Sequence, residues 1–243
     1  MRRSGYAGEI VKRPPSGLLL VRGAADAARS WTEGGLTTVR VVPLRDGWTA
    51  VVPVTATSAA PPPYDDSVSV LLARPVPHSM RPCIGVAVVG DQALVAVTPA
   101  RWRAVQRWVA WRPGTGLVRP GGLPTARLSD LVHLAGSVGA VRPGAVAALA
   151  EIVHDPAGDA RSVLRGVLDV LGLPGGELLE RLQLLEDPSE PHDPRRPASP
   201  GSTQPTSTVP GTHLVEPSPS RVAAFTRMVT EDASWREETG GRP

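Results

Sequence analysis

The chain has 243 residues, a formal net charge of +3 and one cysteine. This length is enough for one sizeable hydrophobic core, although the apolar content of 41% is a little below the globular norm. The lone thiol, Cys83, excludes the disulfide framework of small secreted domains. No apolar run approaches the roughly 18 residues that span a bilayer. The longest one near the N-terminus, 17–21, is also shorter than a signal-peptide core of about seven residues. We therefore expect a cytoplasmic protein without a membrane partner.

The basic residues are almost all arginine, because Lys12 is the only lysine among 26 basic residues. Charge is also uneven along the chain. The segment 101–150 has seven arginines and one acid, whereas 151–200 has ten acids and five arginines. A coding bias towards GC-rich codons explains this arginine excess without nucleic-acid binding, so the charge must be interpreted locally.

The first hundred residues contain several strand patterns. A short apolar run, Leu18 to Val21, predicts a buried strand, and the alanine-rich segment 24–33 predicts a helix that ends at Gly34-Gly35. The segments 36–43 and 48–54 are rich in Val and Thr and predict two more strands. Because an Asp-Gly pair joins them, we expect a hairpin. A strand, helix, strand order at the start of the chain favours a parallel crossover.

The stretch from Cys83 to Arg112 is the most informative one. Two apolar runs, 84–89 and 93–97, predict buried strands joined by a turn at Gly90-Asp91-Gln92. Just before them, the alternation of Val and Ser in 67–73 predicts a half-buried strand.

A helix over 99–112 is predicted to follow these strands, because Thr98 can cap it and Pro99 suits its first position. On a helical wheel its tryptophans cover the face towards the strands, while Arg103 and Arg107 lie on the opposite face.

The next part of the chain has helical periodicity. Leucine and valine recur at helical spacing in four segments, 125–138, 145–154, 159–171 and 177–185. Proline and glycine separate these segments, so they predict helices that pack on the sheet or on one another.

A different composition follows. Residues 187–219 are rich in proline, serine and threonine and have few large aliphatic residues, which predicts a disordered linker. After it, Ser220 is a candidate cap for an amphipathic helix over 221–236. Val222, Phe225, Val229 and Ala233 form one stripe of this helix, with Met228 and Trp235 on its flank.

Together these patterns predict an α+β fold with a mixed, largely antiparallel sheet of about five or six strands and packed helices, followed by a helical C-terminal half and a disordered tail. We expect a sheet-and-helix part over 1–115 and a helical part over 116–186, packed as one globular unit. The linker over 187–219 and a C-terminal helix over 220–238 complete the chain.

Groups that could carry chemistry are scattered. No histidine has metal-ligand spacing to another histidine or to Cys83, so we predict no metal site. Cys83 begins a buried strand, where an inert thiol is the usual finding. The neighbouring carboxylates Asp65 and Asp66 are interpreted as a surface pair rather than an acid/base pair. Phosphate-binding and nucleophile-elbow motifs are absent, so we expect no cofactor and no catalysis.

The C-terminal helix gives the preferred functional hypothesis. A folded body, a tether and an amphipathic helix are the layout of a non-catalytic interaction or regulatory protein whose helix docks on a partner protein or on its own body. Its predicted partner-binding residues are Val222, Phe225, Met228, Val229 and Trp235. One alternative is weak nucleic-acid binding through Arg103 and Arg107 on the face of helix 99–112. A second alternative is an enzyme whose site the sequence does not reveal.

Overall fold

A computed structural model describes residues 16–101, 103–139, 141–186 and 212–238, with side chains described for all of these but 182–186 and 233–238. Within these ranges the chain forms eight strands and seven α-helices, so the predicted α+β class is confirmed. The strands are β1 (Ser16–Arg22), β2 (Val39–Pro43), β3 (Trp48–Pro53), β4 (Cys83–Val89), β5 (Gln92–Thr98), β6 (Arg107–Arg112), β7 (Gly116–Val118) and β8 (His213–Val215). The helices are α1 (Ala25–Glu33), α2 (Ser67–Ala73), α3 (Leu128–Gly136), α4 (Ala145–His154), α5 (Ala160–Val170), α6 (Gly176–Glu186) and α7 (Pro219–Glu238).

All eight strands belong to one sheet, in the order β7-β6-β5-β4-β1-β3-β2-β8, and every ladder between neighbouring strands is antiparallel. The predicted count of five or six strands was therefore too low, and the expected parallel crossover was wrong. The reason is that β3 lies between β1 and β2. It pairs with β2 through their short hairpin and with β1 on its other side, where Leu19 faces Val51.

Both predicted hairpins are confirmed. The β2–β3 turn has positive φ angles at Asp46 and Gly47, 58° and 69°, the left-handed backbone that Asp and Gly tolerate best. The β4–β5 hairpin closes where Val89 faces Gln92, with Gly90 at φ 63°. Local turn chemistry therefore determines these two connections.

The predicted helix over 99–112 was wrong, because residues 107–112 form strand β6. This strand pairs with β5 from Ala93↔Trp111 to Val97↔Arg107. Its four central residues are buried, and the two tryptophans among them lie on opposite faces of the sheet. Aromatic and β-branched side chains suit a strand that is covered on both faces, and this pairing outweighs the capping signal at Thr98-Pro99.

The predicted strand over 67–73 was also wrong, because these residues form helix α2. Asp66 caps the helix, and its Oδ1 accepts a hydrogen bond from the backbone N–H of Ser69 at 2.5 Å. The buried residues Val68, Leu71 and Leu72 have i, i+3, i+4 spacing. The alternation of Val and Ser obscured this helical period.

Helices cover both faces of the sheet. Leu18 and Leu20 of β1 pack in one core with side chains from α3 to α6. Leu19 and Val21 point to the other face and pack in a second core with side chains from α1 and α2. This three-layer arrangement explains why the strand sequences are apolar without alternation.

The chain beyond α6 contributes one strand and one helix to the described structure. The predicted linker extends over 187–219, of which 187–211 lies outside the described residues. Strand β8 and the first residue of α7 fall at the end of that range. The predicted division into a unit ending at 115 and a helical unit over 116–186 stays a prediction.

Candidate functional site

The C-terminal segment attaches to the body through β8, which adds an edge strand to the sheet. It pairs with β2 over three positions, from Val41↔His213 to Val39↔Val215. Val215 is buried and belongs to the core on the α1 and α2 face, whereas Leu214 is 60% exposed. Burying one valine stabilises this attachment by roughly 1.5–3 kcal/mol. The tail is therefore anchored to its own body at the sheet edge.

Residues 216–218 separate β8 from helix α7. The apolar stripe of α7 is only partly covered by the rest of the protein. Val222, Phe225 and Val229 are half-buried, and Met228 is 56% exposed. The side chain of Trp235 lies outside the described residues. No described side chain of α7 is buried, whereas each of the helices α1 to α6 contributes buried residues. The structure therefore places all five predicted partner-binding residues on α7, and the four whose side chains are described are not integrated into either core.

An aromatic contact connects α7 to the loop before α2. The rings of Tyr64 and Phe225 meet edge to face, with centroids 5.4 Å apart and an interplanar angle of 84°. Nearby, the guanidinium of Arg74 stacks on Trp31 at 4.4 Å and donates to its backbone oxygen at 2.5 Å. Burial, and to a smaller extent the positive charge of Arg221 on α7, lowers the pKa of Arg74. The start of α7 therefore lies close enough to Arg74 for the two positive charges to interact.

The two arginines predicted to contact nucleic acid do not lie on a helix. Arg107 is the first residue of β6, and its Nη1 lies 3.2 Å from Oδ2 of Asp130 on α3. Arg103 lies in the loop between β5 and β6 and is exposed. The expected arginine face of a 99–112 helix is therefore absent, but both arginines line one groove between this loop and α3.

This groove has a volume of about 410 Å³ and a mixed lining. Its lining residues are Val97, Pro99, Arg101, Arg103, Ala104, Val105, Arg107, Asp130, His133 and Leu134. Sequence reasoning missed Arg101, Asp130 and His133 as parts of one site. The sequence pattern placed Arg101 and Arg103 on a predicted helix over 99–112, so it did not indicate a loop that carries arginines here. No local signal indicated that α3 would lie beside it.

Hydrogen bonds hold the loop at the groove in shape. The carbonyl of Arg101 accepts bonds from the backbone N–H of Ala104 at 3.2 Å and from the Arg81 guanidinium at 3.3 Å. Gln106 donates from Nε2 to the carbonyl of Leu72 at 2.7 Å. Within this loop Arg103 has a φ of 61°, which costs a residue with a Cβ about 1–2 kcal/mol. The loop therefore presents its arginines from a defined, strained turn.

The other groups considered for chemistry are Cys83, the pair Asp65 and Asp66, and possible metal ligands. Cys83 is buried in β4 opposite Thr98, and burial raises the pKa of its thiol to about 11, so the thiol is protonated at neutral pH. Asp66 is the cap of α2, and Asp65 is exposed beside it. Across the described residues, no three side chains of His, Cys, Asp or Glu are grouped closely enough to hold a metal ion.

Among the helices of the described ranges, none combines the length and apolar character needed to cross a membrane. Comparison with models of protein families, with curated proteins and with solved structures finds no match to this chain.

Proposed function

We propose that this chain is a non-catalytic interaction protein of the cytoplasm and that α7 binds a partner protein through its apolar stripe. One observation carries the proposal: among the helices, only α7 has no buried side chain in the part of the chain that the structure describes. The residues proposed to contact the partner are Val222, Phe225, Met228, Val229 and Trp235.

The contact between α7 and the body is weak enough for a partner protein to displace the helix from the body. An edge-to-face aromatic pair such as Tyr64 and Phe225 contributes about 0.5–1.5 kcal/mol beyond its buried area. Most of the stability of a helix in a protein comes from packing of its apolar face, so a partner that covers the stripe of α7 would stabilise both the helix and the complex.

The attachment of the C-terminal segment to the body through β8 favours partner binding by α7. Because only residues 216–218 separate β8 from α7, the helix starts at a fixed place on the body. A helix presented in this way loses less freedom on binding than one at the end of a long tether. The partner that fits is a protein with an apolar groove that accepts side chains at i, i+3 and i+7, with Phe225 as the central anchor.

Site-specific photocrosslinking in cells tests this proposal. A benzophenone amino acid at Met228, on the exposed flank of the stripe, should give a discrete intermolecular adduct. The same amino acid at Ala223, an exposed position about 140° away from Met228 around the helix, should not. With the crosslinked partner purified, Phe225→Ala should weaken its binding by about tenfold to a hundredfold, the loss typical of an aromatic anchor. Equal adducts from both positions, or adducts confined to the chain's own 58–64 loop, would reject partner binding by α7.

A further inference from the structure

We propose that the groove between the β5–β6 loop and α3 is a binding site for a small organic anion, with an acidic head held by Arg101 and Arg103 and an apolar body held by the groove floor. This site is separate from α7, and the proposed function of α7 does not depend on it.

The charge of the groove favours an anionic head. Three arginines and one carboxylate, Asp130, are among the described residues that line the groove. Asp130 is already engaged, because its Oδ2 accepts from Arg107 Nη1 at 3.2 Å and from the backbone N–H of Arg127 at 2.9 Å. Arg101 and Arg103 are therefore the cations available to a ligand. Guanidinium groups suit phosphate, sulfonate and carboxylate heads because they donate two parallel hydrogen bonds.

The remaining lining favours an apolar body next to that head. Val97 and Leu134 are both 2% exposed and form part of the floor, and Val105 lies at the rim with 60% of its surface exposed. A volume of about 410 Å³ also lies within the range of about 300–1,000 Å³ that is usual for small-molecule sites.

Hydrogen bonds hold the described residues on both sides of position 102 in the loop. The carbonyl of Arg101 accepts two hydrogen bonds, and Gln106 joins the end of the loop to α2. Arg103 occupies a left-handed conformation that glycine would adopt without strain. At such a position arginine is less stable than glycine, and residues that are strained in this way are common at binding sites.

The same observations favour a small anion over a nucleic acid. Binding of nucleic acid through its backbone relies on many phosphate contacts, about six to ten in strongly salt-dependent complexes. Among the described residues, three arginines line the groove, and one of them is paired with Asp130. The groove can neutralise one acidic head but not an extended strand of phosphates.

Fluorescence titration of the full chain with anilinonaphthalene sulfonate, which joins an acidic head to an apolar body, tests the proposal. The dye should bind one groove site, and phenylnaphthylamine, which has a similar ring system but no charge, should bind at least tenfold more weakly. The variants Arg101→Gln/Arg103→Gln and Arg103→Gly should each weaken sulfonate binding, the double variant by about tenfold or more. Arg103→Gly removes the charge and should still fold, because glycine adopts the positive φ at that position without strain. The effect of the lost charge on binding can therefore be measured.

The matched control is Arg45→Gln, which removes an exposed arginine at the β2–β3 turn that is not among the described residues lining the groove, and it should leave binding unchanged. Displacement of the dye by phenyl phosphate or by benzoate would support the proposal and identify the preferred head. Equal binding of the charged and uncharged dyes, or sulfonate binding that the groove variants leave intact, would overturn it. Displacement by single-stranded DNA but by neither small anion would assign the groove to nucleic acid instead.

Discussion

The ring of Phe225 meets the ring of Tyr64 edge to face at 5.4 Å, and this contact joins the last helix of the chain to the loop that precedes α2. The two residues are far apart in sequence, and Tyr64 is still 48% exposed in the contact. The contact thus holds α7 near the body without burying it. A helix held in this way can be stabilised by a partner or released from the body without disturbing either core.

The strength of this contact can be measured by a double-mutant cycle. Tyr64→Ala and Phe225→Ala should each increase hydrogen exchange of the α7 amides, with a coupling energy of about 0.5–1.5 kcal/mol. Global unfolding by urea should change little, because α7 has no buried described side chain. Met228→Ala is the matched control, since this exposed side chain lies on the flank of the stripe. If the two single variants have strictly additive effects on exchange, the aromatic contact does not hold the helix.

The anchoring of the tail by β8 depends on the inward-facing Val215. Val215→Asp should release β8 and α7 together, because burial of an unpaired carboxylate at a 5% exposed position is more costly than detaching three residue pairs. The change should raise the exchange rates of the β8 amides and expose the β2 edge. The loss in global stability should stay near 2–3 kcal/mol, since the tail can detach while the body remains folded.

Leu214→Asp provides the control for this prediction. It places the same charge one residue away, where the side chain is 60% exposed and lies on the other face of the strand. We expect little change in β8 exchange. Equal effects of the two substitutions would show that the register in which Val215 faces the core is incorrect.

Much of the sheet could be predicted from local signals. The Asp46-Gly47 and Gly90-Asp91 turns determine hairpins within a few residues, and the uniformly apolar run from Leu18 to Val21 indicates a strand buried on both faces. The position of β3 between β1 and β2 was not predictable in this way. It results from pairing between residues distant in sequence, such as Leu19 and Val51.

The wrong predictions of helix over 99–112 and of strand over 67–73 have a related cause. Trp108, Val109 and Trp111 can lie on a helix or a strand equally well when considered alone, and β5 as a neighbour decides the outcome. The candidate groove shows the same limit. Arg103 was identified as a basic residue of interest, but its proximity to Asp130 and His133 depends on where α3 packs.

The left-handed conformation of Arg103 leads to a prediction about stability. Arg103→Gly should raise the free energy of unfolding by about 0.5–1 kcal/mol, because relief of an unfavourable φ of 61° exceeds the extra entropy of glycine in the unfolded chain. Arg101→Gly is the comparison in the same loop and should lower stability or leave it unchanged. Urea unfolding of both variants measures the difference. A loss of stability in Arg103→Gly would mean that the loop does not adopt this turn in solution.

The thiol of Cys83 leads to a prediction about pH. Burial raises its pKa from the ordinary value of 9.0 to about 11 in the folded state, so between these values the unfolded chain releases its proton first. The folded state is then the one with more bound protons, and its stability should fall as pH rises. The contribution is fully present below pH 9.0 and is lost progressively up to about pH 11, at a slope of about 1.4 kcal/mol per pH unit.

Urea unfolding of the parent chain and of Cys83→Ala at a series of alkaline pH values isolates this contribution. All other titrating groups are shared, so the difference between the two stability curves reports the thiol alone. The parent should lose its advantage over the alanine variant as pH rises through this window. Parallel curves would show that the thiol ionises as easily in the folded protein as in the unfolded chain. The buried position opposite Thr98 in the β4–β5 ladder would then be wrong.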